Sequence, residues 1–336
     1  MLATLALTAA MAADTIEITV IDAGNANCVV AQIPYEGGRV QAVFDAGYEL
    51  TLGPADVAKV WARFQEVMGD EEDIELLIVS HTDWDHTALL DKVLDKYEVD
   101  VAFYPDRRDS LTSATWKTLH ALIEDKVRLP LPIGTDGAVH GKRLLIGDAS
   151  FRIMTGYNVP PSSYGISTSN SSAYNNAASI VVRLAFWGRS VMFMGDSYGG
   201  PNAEATDKPK WGEGDILAKR PPYLIKSDVL VAGHHGANNA SFVDFIEGVK
   251  PSFVVFASGQ GHDHPYKVTA DRFLAEGVAL AKIFRTDWND KKEDTAKEWQ
   301  HGHTSGTVRK VCDDDVLIEL ERGQPARVRY VDPANG

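Results

Sequence analysis

Ser80-His81-Thr82-Asp83-Trp84-Asp85-His86 places four side chains able to ligate a metal within six residues. It follows Ile74-Glu75-Leu76-Leu77-Ile78-Val79, a short, apolar, β-branched run that predicts a buried strand. From Thr87 to Lys96, leucines and a valine recur at helical spacing and predict a helix. The four candidate ligands, His81, Asp83, Asp85 and His86, therefore sit on a strand-to-helix loop at the carboxyl end of a strand. Such loops commonly carry the site in α/β proteins. Imidazole and carboxylate together suit Zn, Mn or Fe. Close carboxylates repel, so crowding them into one tight loop is costly unless a cation compensates them. The plain alternative is a solvated acidic turn whose aspartates cap the helix that follows.

Outward from this loop, composition narrows the classes. The chain has 336 residues, 44% hydrophobic and 24% charged, which is ordinary for a globular α/β protein and argues against disorder. A formal net charge of −14 excludes a broadly basic, DNA-coating protein, although not a local basic groove. The two cysteines, Cys28 and Cys312, rule out a multi-disulfide scaffold and a cysteine-rich zinc site. Cys28 lies in an apolar run and reads as a buried free thiol. Met1 to Ala13 is apolar and alanine-rich and ends Ala10-Met11-Ala12-Ala13, as a signal-peptide cleavage site does. It lacks Lys and Arg and is short for a complete signal. A clipped signal and a disordered or helical leader are both open; export to the periplasm or medium is favoured over a cytoplasmic location. No other stretch reads as a membrane span.

The order of elements predicts a layered fold over residues 14–332. A three-strand meander runs through Thr15–Ile21, Cys28–Ile33 and Val40–Phe44. A helix over Pro54–Met68 leads into the motif strand. Beyond the motif, strands are expected near Val101–Tyr104, Arg143–Ile146, Phe151–Met154, Ser179–Phe186 and Val191–Met194. Further strands are expected near Asp228–Ala232, Phe253–Ala257, Ala281–Phe284, Thr307–Val311, Val316–Leu320 and Ala326–Tyr330. Helices are expected over Ala114–Glu124, Phe242–Val249 and Lys267–Glu276. Tyr157–Asn176 and Ser197–Ser227 read as long loops, and Asp287–Ser305 as an exposed insertion carrying His301 and His303. Strands first, then strands and helices mixed, suggest two sheets with helices outside.

Three of these strands end in candidate ligands: the motif loop, then Asp196, then His234-His235. A further loop adds His262 and His264. Other pieces stand in a recognisable order: Asp22-Ala23-Gly24-Asn25-Ala26-Asn27, Phe44-Asp45-Ala46-Gly47, Asn175-Asn176-Ala177-Ala178-Ser179, Met194-Gly195-Asp196, His234-His235-Gly236, Gly261-His262-Asp263-His264-Pro265 and Arg285-Thr286-Asp287. With these pieces the chain resembles the metallo-β-lactamase superfamily. It is most similar there to the ComEC-type branch, the hydrolase-like domain of bacterial DNA-uptake proteins. The superfamily loop is usually H-x-H-x-D-H; here Asp83 replaces the second histidine, a substitution common in that branch.

The resemblance implies an αββα sandwich with one or two ions, Zn or Mn, between the sheets. It implies His81 and Asp83 at a first metal, Asp85, His86 and one of His234-His235 at a second, and Asp196 bridging both. His234 is the preferred ligand of that pair, with His235 left to support the ligands or touch substrate. Many members add a histidine to the first metal between the loop and the bridging aspartate. His120 and His140 are the histidines in that interval, and neither has a matching context, so one tight and one loose metal are expected. Asp83 or Asp85 is a candidate to orient the nucleophile, and His264 to donate to the substrate oxyanion or the leaving group. Asn176 and His262 are candidates for substrate or supporting contacts; for His262 and His264 the alternative is a turn before a helix that starts at Pro265. Trp84 is either cleft wall or core.

Two catalytic readings and one binding reading follow. The first is a metal-dependent hydrolase of phosphodiesters, nucleic acid or nucleotide, with local nucleic-acid contact through Arg107, Arg108, Lys219, Arg220 or Lys226. The second is a hydrolase of esters, lactones or lactams using the same centre. The third is a non-catalytic metal-binding sensor. Asp83 also sets an expectation for metal preference. A carboxylate is harder than imidazole and shifts preference toward Mn relative to Zn. Asp83→His should therefore tighten Zn and diminish activation by Mn. Titrating stripped wild type and Asp83→His with each metal checks this; identical profiles would remove Asp83 from the ligand set.

Overall fold

The computed structural model describes residues 14–108, 112–134, 140–201, 208–259, 261–292, 297–305 and 310–331. The leader Met1–Ala13 lies outside them. So does most of the strand expected at Thr307–Val311, of which residues 310 and 311 are described and are not in a strand.

Strands β1 (Thr15–Val20), β2 (Cys28–Tyr35) and β3 (Gly38–Ala46) form the expected antiparallel meander. β4 (Asp73–Ile78), β5 (Glu98–Pro105) and β6 (Val127–Ile133) extend the sheet in parallel from β3. The crossovers are α1 (Pro54–Met68), the broken pair α2 (Trp84–Thr87) and α3 (Leu90–Lys96), and α4 (Ala114–Lys126). α1 begins on Pro54 and buries Val60, Phe64, Val67 and Met68, one stripe of its surface. The second sheet repeats the plan. β7 (Arg143–Ile146), β8 (Ala149–Thr155), β9 (Val181–Phe186) and β10 (Arg189–Phe193) are antiparallel. β11 (Val229–Val231), β12 (Phe253–Phe256) and β13 (Ile283–Arg285) then run parallel to β10. Their connections carry α5 (Ser171–Asn176), α6 (Gly212–Lys219), α7 (Pro222–Ile225), α8 (Val243–Val249) and α9 (Lys267–Ala275). A small parallel pair, β14 (Lys291–Lys292) and β15 (Thr304–Ser305), precedes β16 (Asp315–Glu321) and β17 (Arg327–Val331), which join the first sheet beside β1.

The sheets pack face to face. Phe44 of β3 stacks on Phe193 of β10 at 4.0 Å between ring centroids, within a shared core that includes Ile18, Ile78, Val182 and Val231. A second cluster joins the outer face of the first sheet to α1, α3 and α4, and a third joins the second sheet to α8 and α9. The layers are therefore α, β, β, α, as expected from the sequence.

Three local expectations change. β6 reads Val-Arg-Leu-Pro-Leu-Pro-Ile, and its prolines hid it; they are accommodated because β6 is an edge strand, paired with β5 alone. The two long loops contain short helices, α5, α6 and α7. The Asp287–Ser305 segment is not simply exposed: Asp287, Asp290, Glu298 and Trp299 are buried, and the His303 side chain is 2% exposed. The cause is Arg285, fully buried, whose guanidinium pairs with Asp287 (2.7 Å) and Glu298 (3.0 Å). His303 closes the group at 3.2 Å from Asp287. These acids could group around a metal, but the arginine already supplies the compensating charge.

Gly47 shows how tightly the meander holds the motif loop. A Cβ built on it would lie 1.8 Å from the Asp85 carbonyl oxygen, which itself accepts a hydrogen bond from Asn27 N at 3.0 Å. Gly47→Ala should destabilise the fold by about 1–3 kcal/mol, because the clash is with backbone. Denaturant unfolding checks this against Gly38→Ala, whose added carbon meets nothing nearer than 3.8 Å.

Candidate metal centre

The ends of β3, β4, β10, β11 and β12 lie at one mouth of the sandwich, and each delivers polar side chains. Asp45 lies next to the last residue of β3, and Ser80 to His86 follow β4. Asp196 follows β10, and His234-His235 follow β11. His262 and His264 lie on the loop beyond β12. α5 adds Asn175 and Asn176 from the side. Together they form a cleft of about 800 Å³ whose lining includes Asp83, Asp85, Asn176, Asp196, His234, His235, His262 and His264. His81 and His86 lie beside Asp196, 1% and 0% exposed.

Asp196 is the centre of the arrangement. Its Oδ1 lies 3.1 Å from His86 Nε2 and 3.4 Å from His235 Nε2. Its Oδ2 lies 3.8 Å from His81 Nε2 and 3.9 Å from His234 Nε2, and accepts from Asn176 Nδ2 at 3.1 Å. His235 Nε2 is also 3.3 Å from Asp85 Oδ2, and His81 Nε2 is 3.8 Å from Asp83 Oδ2. The carboxylate thus has a group on each side: Asp85, His86 and His235 on one, His81, Asp83 and His234 on the other. The first group with Asp196 forms a set whose ligating atoms all lie within 4.8 Å of one another. The second is looser. In this arrangement His235, and not the preferred His234, lies beside Asp85 and His86. Both histidines have left-handed backbone, φ 49° and 52°. Their rings go to different sides because their Nδ1 atoms have different partners, Asn239 Oδ1 at 2.9 Å for His234 and the Ala257 carbonyl at 2.7 Å for His235.

The imidazole protons are also arranged. His86 Nδ1 donates to Asp45 Oδ2 at 2.7 Å, and the Nδ1 atoms of His234 and His235 donate to the oxygens just named. His81 Nδ1 faces Ser80 Oγ at 3.0 Å, and that hydroxyl itself donates to Asp45. With Nδ1 engaged in this way, Nε2 is the atom each ring presents toward Asp196 and the one a metal would take; His234 Nε2 also meets Asn176 Nδ2 at 3.1 Å. His81 Nε2, His86 Nε2, His235 Nε2 and Asp196 Oδ1 are buried and make no hydrogen bond. Buried polar atoms without partners are costly, and imidazole lone pairs beside a carboxylate oxygen form a donor set that a divalent cation satisfies. The residues fit a metal.

The shifts in proton affinity reflect the same crowding. Burial and the neighbouring His86 push the His81 ring down to about 4. Burial would disfavour charge on His86, but the carboxylates of Asp196, Asp45 and Asp85 hold it well above its ordinary range. Burial lifts Asp83 to about 6 against the hydrogen bond from Asn175. Burial acts the same way on Asp85, yet His86 and His235 bring it to about 2.

His264 Nδ1 lies 3.3 Å from Asn25 Oδ1, an atom that can only accept, so its Nε2 lone pair is turned away from that bond. Burial holds this ring well below its ordinary value. In this tautomer His264 Nε2 can accept a hydrogen bond, whereas the sequence suggested a donor. Trp84 lines the cleft, with Tyr48 edge-on at 5.6 Å. His120 and His140 lie elsewhere, bonded to Asp106 and to the Gly156 carbonyl. The basic residues singled out in the sequence do not line the cleft: Arg108 pairs with Asp106 and Glu124, Lys219 with Asp215, and Arg220 bonds the Met154 carbonyl. Arg107 is buried against Asn175, and Lys226 is exposed.

Sequence reasoning quoted Asn25, Asp45 and Asn175 within the motif pieces without giving them a role, and missed Asn239. Asp45 had a legible signal, a carboxylate at the end of an apolar strand in Phe44-Asp45-Ala46-Gly47. Its backbone is left-handed, φ 56°, and it accepts from Ser80 N, Ser80 Oγ and His86 Nδ1. Asp45→Asn should lower metal affinity about 10–100-fold, as loss of a ligand-orienting carboxylate generally does. Metal content after dialysis, with circular dichroism as a check on folding, measures it; undiminished metal binding would assign Asp45 to loop folding alone.

No protein-family model matches the chain. Among curated proteins it is similar to ComE operon protein 3 of Bacillus subtilis (strain 168), 24% identical over 285 residues, or 81% of this chain and 32% of that protein. It is also similar to competence protein ComA of Neisseria gonorrhoeae, 31% identical over 115 residues, or 34% of this chain and 14% of that protein. The chain thus spans about a third or less of these relatives' length. Among solved structures, the metallo-β-lactamase fold protein YhfI from Bacillus subtilis matches 81% of this chain and 96% of its own, at 11% identity and a TM-score of 0.46. By its own layer order and strand-end ligand motifs, the chain has the metallo-β-lactamase fold, and in sequence it resembles the ComEC-type competence proteins.

Proposed function

We propose that this protein is a metal-dependent hydrolase of phosphodiesters, in nucleic acid or nucleotides. The observation that carries the reading is the set of buried imidazole lone pairs around Asp196, made without hydrogen-bond partners on both sides of one carboxylate. Asp85, His86 and His235 would hold one ion with Asp196, and His81, Asp83 and His234 a second, looser one. Divalent ions so held supply a Lewis acid and a water of lowered pKa. The protein contributes position and proton affinity. Asp45 and Ala257 fix the rings of His86 and His235, and Asn239 fixes that of His234. Asp83 and Asp85 flank the cleft and can align an attacking water. His264 can accept a hydrogen bond from that water or from a substrate hydroxyl. Trp84, Leu50 and Tyr266 give the cleft an apolar rim.

Phosphodiesters are favoured by the resemblance to competence proteins, and a pair of cations held here would supply charge stabilisation for an in-line displacement at phosphorus. The described residues lining the cleft include neither Lys nor Arg. This favours, as a second reading, hydrolysis of an uncharged ester or lactone. On the first reading the scissile phosphate would be held by the ions alone.

A substrate panel tests the choice. Bis-p-nitrophenyl phosphate and a short single-stranded oligonucleotide should be hydrolysed with Zn or Mn, and chelation or Asp196→Ala should abolish turnover. The salt dependence of KM for the oligonucleotide should be shallow, a log–log slope below about one, because few phosphates meet basic side chains. Turnover of lactones or esters without any of phosphodiesters would transfer the assignment to the second reading. Full metal loading with no hydrolysis of any substrate would leave a binding protein.

A further inference from the structure

The Asp83 carboxylate is not free to turn. Asn175 Nδ2 donates to its Oδ1, and Arg107 Nη1 donates to Asn175 Oδ1. Arg107 is itself fixed from behind. Its carbonyl accepts from Trp116 Nε1 at 2.8 Å, its guanidinium lies over the Tyr174 ring at 4.7 Å, and the residue is 2% exposed. The chain of contacts runs from the β5–α4 connection through the end of α5 to the motif loop, so three separate segments meet at one carboxylate. With Oδ1 engaged by the amide, Oδ2 is the oxygen that faces His81 Nε2, at 3.8 Å.

We propose that Arg107 and Asn175 act as a positioning relay that presents one oxygen of Asp83 to the metal position shared with His81, and so set the affinity of that position alone. The physical need is specific to a carboxylate. An imidazole offers one lone pair in a fixed plane, whereas a carboxylate has two equivalent oxygens and rotates. A donor on one oxygen removes that freedom. Arg107 polarises the Asn175 amide from a buried position, which strengthens the bond to Asp83, and brings a positive charge near that half-buried carboxylate without entering the cleft. Among the described residues the orienting partners of His86 and His235 are Asp45 and the Ala257 carbonyl, separate from Asn175 and its bond to Asp83. The inference rests on the two-position reading of the centre given above.

The test is a calorimetric titration of the metal-free protein with Mn²⁺ alone, with melting of the metal-free protein as the check on folding. Wild type should show two steps, the weaker identified by its loss in His81→Ala and the stronger by its loss in His235→Ala. Asn175→Ala should weaken the His81 step about 10–100-fold, the range for loss of a ligand-orienting partner, and leave the other step unchanged. Arg107→Lys keeps the buried charge but not the planar fork; it should weaken the same step by less, and it carries the test if Asn175→Ala does not fold. A role in folding alone would weaken both steps together or lower the melting temperature without selectivity, and either result overturns the relay. So does a folded Asn175→Ala whose titration matches wild type, or a wild type with a single step that the variant leaves intact. Because the readout is metal binding, a protein that hydrolyses no phosphodiester would defeat the functional proposal and leave this result standing.

Discussion

Asp196 sits almost out of water with imidazoles on both of its oxygens, and the architecture around it can be read as the solution to that one difficulty. A buried carboxylate is tolerated when it is paired and hydrogen-bonded. Here the partners arrive from both sheets: His81 and His86 from the first, His234 and His235 from the second. The sheets must therefore stack in one register for the charge to be satisfied at all. The Phe44–Phe193 stack lies on the strand that carries Asp45 and the strand that ends just before Asp196, so packing and electrostatics constrain the same pair of strands.

The two sides of Asp196 are not equivalent. One gathers its ligating atoms tightly and orients its rings through a carboxylate and a main-chain carbonyl, both rigid. The other uses Asn239, Asn175 and Asn176, side-chain amides on loops and at the end of a short helix. A main-chain acceptor inside a core is fixed by the fold, whereas an amide must itself be held. The asymmetry of the centre therefore follows from where each orienting group is anchored.

Most of the fold was legible because its strands are short, apolar and bounded by turn residues. Most of the site was legible because its ligands follow strand ends. What escaped had physical reasons. β6 carries Pro130 and Pro132, which argue against a strand except at an edge, and edge status is a tertiary fact. The choice between His234 and His235 turns on two left-handed residues whose rings are directed by Asn239 and Ala257, distant or irregular partners that spacing does not reveal. Arg285, quoted in the sequence only within Arg285-Thr286-Asp287, is the buried counter-charge that draws Asp287, Glu298 and His303 inward and converts an apparently polar insertion into a folded one. Arg107 looked like a phosphate contact because charge is visible in a sequence and burial is not.

The prolines of β6 have a further consequence, for how molecules of this kind meet one another. An open sheet edge is a template for another strand, and long flat edges invite stacking of chain upon chain. The larger sheet ends on a strand in which Pro130 and Pro132 lack the amide proton that such pairing would need, so at that border the growth of a ribbon of copies is opposed by covalent structure and not by charge. The protection does not weaken with salt or pH, unlike that given by the acidic surface of this strongly anionic chain.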